Sequence, residues 1–278
     1  MRQLLTSLVL TAFLADLVAA QAPKPEQSPA TPTAASPAEQ NTAPENPAPE
    51  KATTDQAAKP DKPEVLVQPT PELLSEFRNA RRGLVQRIIS KQAHQQIEAL
   101  QELQGYPFPE AAKLALGRLR DSNPEVLKAA FETLLSYRNQ PEIVPLLMQT
   151  LRKESVNQID AGYLSLLTVL AASDLPQVKE QLILLLDMTL GTNPRRWQRL
   201  TVSMDELIQC AGQEALKALR VLRETLPFQK DFGFRRAVVQ ATISLRTNDS
   251  VSQLIQWMDF LEGEIRGDVM RYLSSLAG

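Results

Sequence analysis

From Pro71 to the C-terminus, apolar residues recur at every third or fourth position, the spacing of one face of an α-helix. The two-residue alternation of a half-buried strand is absent. In 109–121 the stripe is Ala112, Ala115, Leu116 and Leu119, and in 141–153 it is Ile143, Val144, Leu147, Met148 and Leu151. In 176–190 it is Val178, Leu182, Leu185 and Leu186, and in 212–226 it is Ala215, Leu216, Leu219, Leu222 and Leu226. Each stripe leaves charged or polar residues on its other side. Helix starts are marked by Pro-Glu pairs at Pro71, Pro109, Pro124 and Pro141. Proline suits the first turn because its missing N–H needs no partner there, and Glu favours the positive end of the helix dipole. Asn123, Asn193, Asp231 and Asp249 occupy positions expected of N-caps.

The starts themselves recur. Pro124, Asn157, Pro194, Asp231 and Glu264 are separated by 33, 37, 37 and 33 residues. Second helices open between them near Pro109, Pro141, Pro176, Gly212 and Asp249. A period in the mid-thirties with two helices per unit predicts stacked helical hairpins, because no hairpin covers its own apolar face. The fold class expected is therefore all-α, an α-solenoid of about five stacked hairpins over residues 71–278. The stretch from Pro71 to Ser90 is expected to add a helix capping the first unit.

The segment Asp121-Ser122-Asn123-Pro124-Glu125-Val126-Leu127-Lys128-Ala129-Ala130 resembles the turn and helix start of HEAT repeats, D-x-[DN]-P-x-V-[RK]-x-x-A. Leu127 stands at the usual basic position and Lys128 follows one residue late. Weaker echoes are Asp231 followed by Arg235, Arg236, Ala237 and Val238, and Glu264-Ile265-Arg266 at the last helix. The resemblance covers roughly residues 91–278. It implies a right-handed solenoid with a binding role, in which the Asp caps the turn and a basic residue reaches it from a neighbouring helix. The Trp, Leu-Gly, Tyr and Ala spacing of tetratricopeptide repeats is not visible.

Composition divides the chain before Pro71. Met1-Arg2-Gln3 precedes the apolar run from Leu4 to Ala15, and Val18-Ala19-Ala20 then fits the small-x-small pattern of signal-peptide cleavage. Residues 1–20 are thus expected to be a signal peptide, directing export to the periplasm or the exterior. The rival is an uncleaved anchor, but 4–20 is only 17 residues and contains Asp16, where a spanning helix needs about 20 apolar residues. Residues 21–70 hold 11 Pro and 10 Ala with no Gly and no aromatic residue. Such a stretch buries too little apolar surface to offset its ordering entropy, and a disordered spacer is expected.

Little chemistry is offered. The 278 residues contain one Cys, Cys210, and one His, His94, so no intramolecular disulfide and no Cys/His zinc site can be built. No phosphate-binding glycine loop is present. His94 reads as a solvated surface residue and Cys210 as a small buried hydrophobe. Arg266-Gly267-Asp268 reads as the opening of an apolar helix and not as an integrin ligand. No catalytic, metal or cofactor residue is assigned, and the chain is expected not to be an enzyme. A net charge of -2 gives no reason to expect nucleic acid.

A protein partner is the remaining expectation. In HEAT repeats the second helix of each hairpin lines the concave side, and here that row would present Lys113, Arg120, Gln149, Arg152, Gln177, Gln181, Lys217 and Arg220. The ladder is mildly basic and would suit an acidic peptide or an anionic polymer. The reading is a non-catalytic exported scaffold, with an accessory or regulatory subunit of an exported enzyme or envelope complex as the alternative. No membrane insertion is expected after signal cleavage. The last helix ends at Leu276-Ala277-Gly278 without a polar cap, which points to self-association or a partner at that end.

Overall fold

The computed structural model describes residues 70–154, 159–191 and 193–277. The expected signal peptide, nearly all of the expected spacer and Asn157 lie outside them. The described residues are helical throughout, with no strand among them. In chain order they form α1 (Pro71–Ile88), α2 (Ala93–Leu103), α3 (Pro109–Leu116), α4 (Pro124–Ser136), α5 (Val144–Glu154), α6 (Ala161–Ala171) and α7 (Pro176–Thr189). There follow α8 (Pro194–Val202), α9 (Met204–Ala211), α10 (Ala215–Arg223), the short α11 (Leu226–Lys230), α12 (Phe232–Ser244), α13 (Asn248–Trp257) and α14 (Gly263–Ala277).

Local chemistry accounts for most of the starts. Prolines open α1, α3, α4, α7 and α8 in the first turn. Asn123 accepts from the Glu125 N–H at 2.9 Å, and Asp231 accepts from the Phe234 N–H at 2.6 Å, both as expected of caps. Other starts differ from expectation. Asn193 stands at the N-cap position of α8 without a side-chain cap bond. Thr247 and not Asp249 caps α13, exchanging hydrogen bonds with Ser250 at 3.1 and 3.0 Å in a capping box. Pro141 opens a turn, and α5 begins only at Val144. Leu226 does not extend the α10 stripe; it opens α11 and is exposed.

Consecutive helices pack in order. Helix α2 lies between α1 and α4, α4 packs on α6, α6 on α9 and α10, and both of these on α12, which also receives α13 and α14. Helix α3 lies against α4, α5 and α7 against α6, and α7 against α5 and α10. One apolar core runs through these contacts from Phe77 to Val269. Polar ties also join helices that are distant in sequence. The Thr133 hydroxyl donates to the Leu100 carbonyl at 2.8 Å, 33 residues earlier, and the Tyr137 hydroxyl donates to that of Leu103, 34 residues earlier. The Asn139 amide donates to the Asp174 carboxylate at 2.9 Å and accepts from the Asp174 N–H at 2.8 Å, 35 residues on.

Helix α6 departs from the amphipathic pattern. Every residue from Gly162 to Leu170 is buried, including Leu164, Leu166 and Leu167, which point to different sides of the helix. An all-round apolar helix belongs in an interior, and here α4, α5, α7, α9 and α10 enclose it. Its start fits closely, since a Cβ on Gly162 would lie 3.0 Å from the Leu119 carbonyl. Any larger residue there would push α6 off the turn that follows α3.

Candidate interaction surface

The residues expected to bind a partner are distributed over three neighbouring helices and one outlying stretch. Gln149 and Arg152 are exposed on α5, Gln177 and Gln181 on α7, and Arg220 on α10, with Lys217 half-buried on the same helix. Since α5 packs on α7 and α7 on α10, these six lie on adjoining elements. Lys113 is exposed on α3, which packs against α2 and α4. Arg120 lies in the turn after α3 and is engaged, its Nε 3.1 Å from the Asp160 carboxylate that caps α6.

The charge on this surface is partly neutralised. Lys217 pairs with Glu214 at 3.0 Å, one turn earlier, and Lys179 of α7 pairs with Glu224 at 2.7 Å just beyond α10. Both pairs are at least a third exposed, so each contributes little to stability. Arg220 and Arg223 form no ion pair among the described residues. On α7 the exposed line that begins with Gln177 and Gln181 continues into Leu184 and Met188, which are 63% and 64% exposed. The surface therefore joins amide, cationic and apolar patches, and the apolar one was not part of the expected ladder. Spacing alone carried it: 177, 181, 184 and 188 share one helical face.

The ladder between aspartates and basic residues takes a different form from the one the HEAT resemblance implies. Asp121 is satisfied within its own turn, accepting from the Asn123 N–H at 3.0 Å and pairing with Arg118 at 3.3 Å. Lys128 pairs with Glu132 along α4. Arg235 donates to the Phe228 and Gln229 carbonyls at 2.9 and 2.7 Å. Among the described residues, two aspartate–arginine pairs do join helices that are distant in sequence. One is Arg120 with Asp160; the other is Arg236 of α12 with Asp268 of α14 at 3.3 Å.

Reactive groups are sparse. His94 is exposed at the start of α2. Cys210 packs against the core beside α6, its thiol donating to the Leu207 carbonyl at 3.4 Å, and burial pushes it up to about 11, with the nearby Ser165 opposing that rise and the Glu206 charge adding to it. No group of three or more His, Cys, Asp or Glu side chains that could hold a metal ion occurs among the described residues. Arg266, Gly267 and Asp268 lie within α14, and Asp268 is occupied by Arg236 and Arg271. No described helix is long and apolar enough to cross a membrane. No protein-family model matches the chain, and no curated protein sequence matches it.

Proposed function

We propose that the chain is an exported, non-catalytic HEAT-like α-solenoid that binds a protein partner over the exposed sides of α5, α7 and α10. The observation carrying this reading is the run of neighbouring second helices that places Gln149, Arg152, Gln177, Gln181, Lys217 and Arg220 on adjoining elements. The repeat reading draws support from hydrogen-bonded residues 33, 34 and 35 positions apart, which match a unit length in the mid-thirties. Stacked helical pairs supply an extended surface in place of a pocket, and that suits a polypeptide better than a small substrate. The exported location rests on the leader read in residues 1–20, and the Pro/Ala-rich stretch would hold the domain away from a surface or neighbour.

Photo-crosslinking in the native host tests it. A crosslinking residue at Gln149 or Gln181 should trap one discrete protein partner, while the same residue at exposed Gln101 on α2 should not. Equal adducts from all three positions, or recovery of the chain alone, would overturn the proposal.

A further inference from the structure

We propose that Arg223 and Phe260 form a niche at the junction of α10 and α13 that takes a carboxylate side chain from an acidic, partly apolar peptide segment of a partner protein. The niche rests on the reading of α10 as a partner-binding helix and names the chemistry of what it binds.

Five side chains form a continuous line. The Arg235 guanidinium lies over Phe228 at 5.8 Å, and Phe228 meets Trp257 edge-on at 6.4 Å between centroids. The Arg223 guanidinium lies 5.9 Å from the Trp257 ring and 4.6 Å from that of Phe260. A guanidinium over an aromatic ring engages its face and leaves its edge N–H groups for an acceptor. Arg223 has no such acceptor among the described residues. Glu224, its neighbour, is taken by Lys179. Asp259, beside Phe260, forms no ion pair with it.

Two further observations point to a ligand. Trp257 is 1% exposed, and its indole N–H is buried without a hydrogen-bond partner, which is rare for a tryptophan at that depth. Phe260, at the other side of Arg223, is 65% exposed. The arrangement thus combines an unpaired, half-buried guanidinium with an open aromatic ring and a buried donor lacking an acceptor. Arginine and aromatic residues are the anchors that protein interfaces favour. Arg220, one turn earlier on α10 and also unpaired, extends the positive charge towards solvent. A carboxylate matches the guanidinium edge in a two-pronged pair, and an adjoining apolar residue matches Phe260.

The test uses the full chain and a fluorescein-labelled Leu-Glu-Leu-Glu-Leu peptide, with Leu-Gln-Leu-Gln-Leu as its uncharged counterpart. The Glu peptide should bind at least tenfold more tightly than the Gln peptide by fluorescence anisotropy. Arg223→Gln should cost at least tenfold, and Arg223→Lys should recover only part of the loss. Phe260→Ala, at an exposed position, should weaken binding without altering the fold. In a Trp197→Phe background, Trp257 emission should shift as the Glu peptide is added. Equal binding by wild type and Arg223→Gln, equal binding of the two peptides, or full competition by millimolar inorganic phosphate would overturn the niche. Loss of binding in Arg152→Glu with Arg220→Glu but not in Arg223→Gln would overturn the niche while leaving the broader surface reading standing. The reverse result would keep the niche and remove the surface.

Discussion

The Tyr137 hydroxyl donates a hydrogen bond to the main-chain carbonyl of Leu103, tying the end of α4 to the end of α2. The carbonyl lies in the last turn of its helix, where no intrahelical donor is due, and the tyrosine ring is fully buried. Burial also pushes the Tyr137 phenol far above its ordinary range. Leu103 keeps a second donor in the Tyr106 N–H at 2.8 Å, so loss of the hydroxyl leaves the carbonyl partly satisfied.

Tyr137→Phe is accordingly expected to cost about 1 kcal/mol, read as a lower urea midpoint with an unchanged slope. A second readout is alkaline stability. The folded phenol titrates above the unfolded one, so its contribution is complete below pH of about 10 and is lost as pH rises beyond that. The wild type should therefore lose stability faster than Tyr137→Phe above pH of about 10. Parallel curves would show that the hydroxyl is not buried as described.

Helix α6 gives a stricter expectation. On an amphipathic helix at least one of Leu164, Leu166 and Leu167 would tolerate truncation. Here each Leu→Ala change should cost about 2–5 kcal/mol, while Leu184→Ala on exposed α7 should stay within about 0.5 kcal/mol. Denaturation of the four variants separates the cases, and one mild α6 variant would mean that α6 has a solvent face.

Asp160 and Arg120 should behave unequally although they form a pair. Asp160→Ala removes the cap to Tyr163 N–H at 3.0 Å and should cost about 1–2 kcal/mol. The Arg120 pair is half-exposed and solvent-screened, and Arg120→Gln should cost less than about 1 kcal/mol. Comparable losses in thermal unfolding would shift the weight from the cap to the pair.

Cys210 should be slow towards a thiol reagent in the folded chain. With its thiol pushed up to about 11, the thiolate is scarce at pH of about 8. The rate should rise about tenfold per pH unit in the native state and become rapid in urea. The folded thiol also titrates above the unfolded one, so its share of stability is full below the unfolded value and is lost as pH climbs towards about 11. Prompt native modification near neutral pH would contradict the burial.

What the chain reveals before folding is mostly local. Prolines at 71, 109 and 124 mark true starts because their fixed backbone angle and missing donor act within one turn. Pro141 misleads because the same angle also suits a turn. Asp249 loses to Thr247 because a reciprocal bond with Ser250 satisfies two donors, which neither residue announces alone. The all-helical character was legible throughout the described residues, because the apolar stripes are themselves local. The enclosure of α6 and the line from Arg235 to Phe260 were not, since both arise where helices distant in sequence meet. Of the candidate surface, the α5, α7 and α10 residues could be placed together by repeat length, whereas the commitment of Arg120 to Asp160 required the fold.

A helix walled in on every side also sets where this molecule can grow. Lengthening by duplication requires an open flank against which the copied pair can lean, and α6 offers none without dislodging α5, α9 or α10. New pairs could be accommodated only beside α1 or α14, where side chains such as Met270 and Leu276 still face outward.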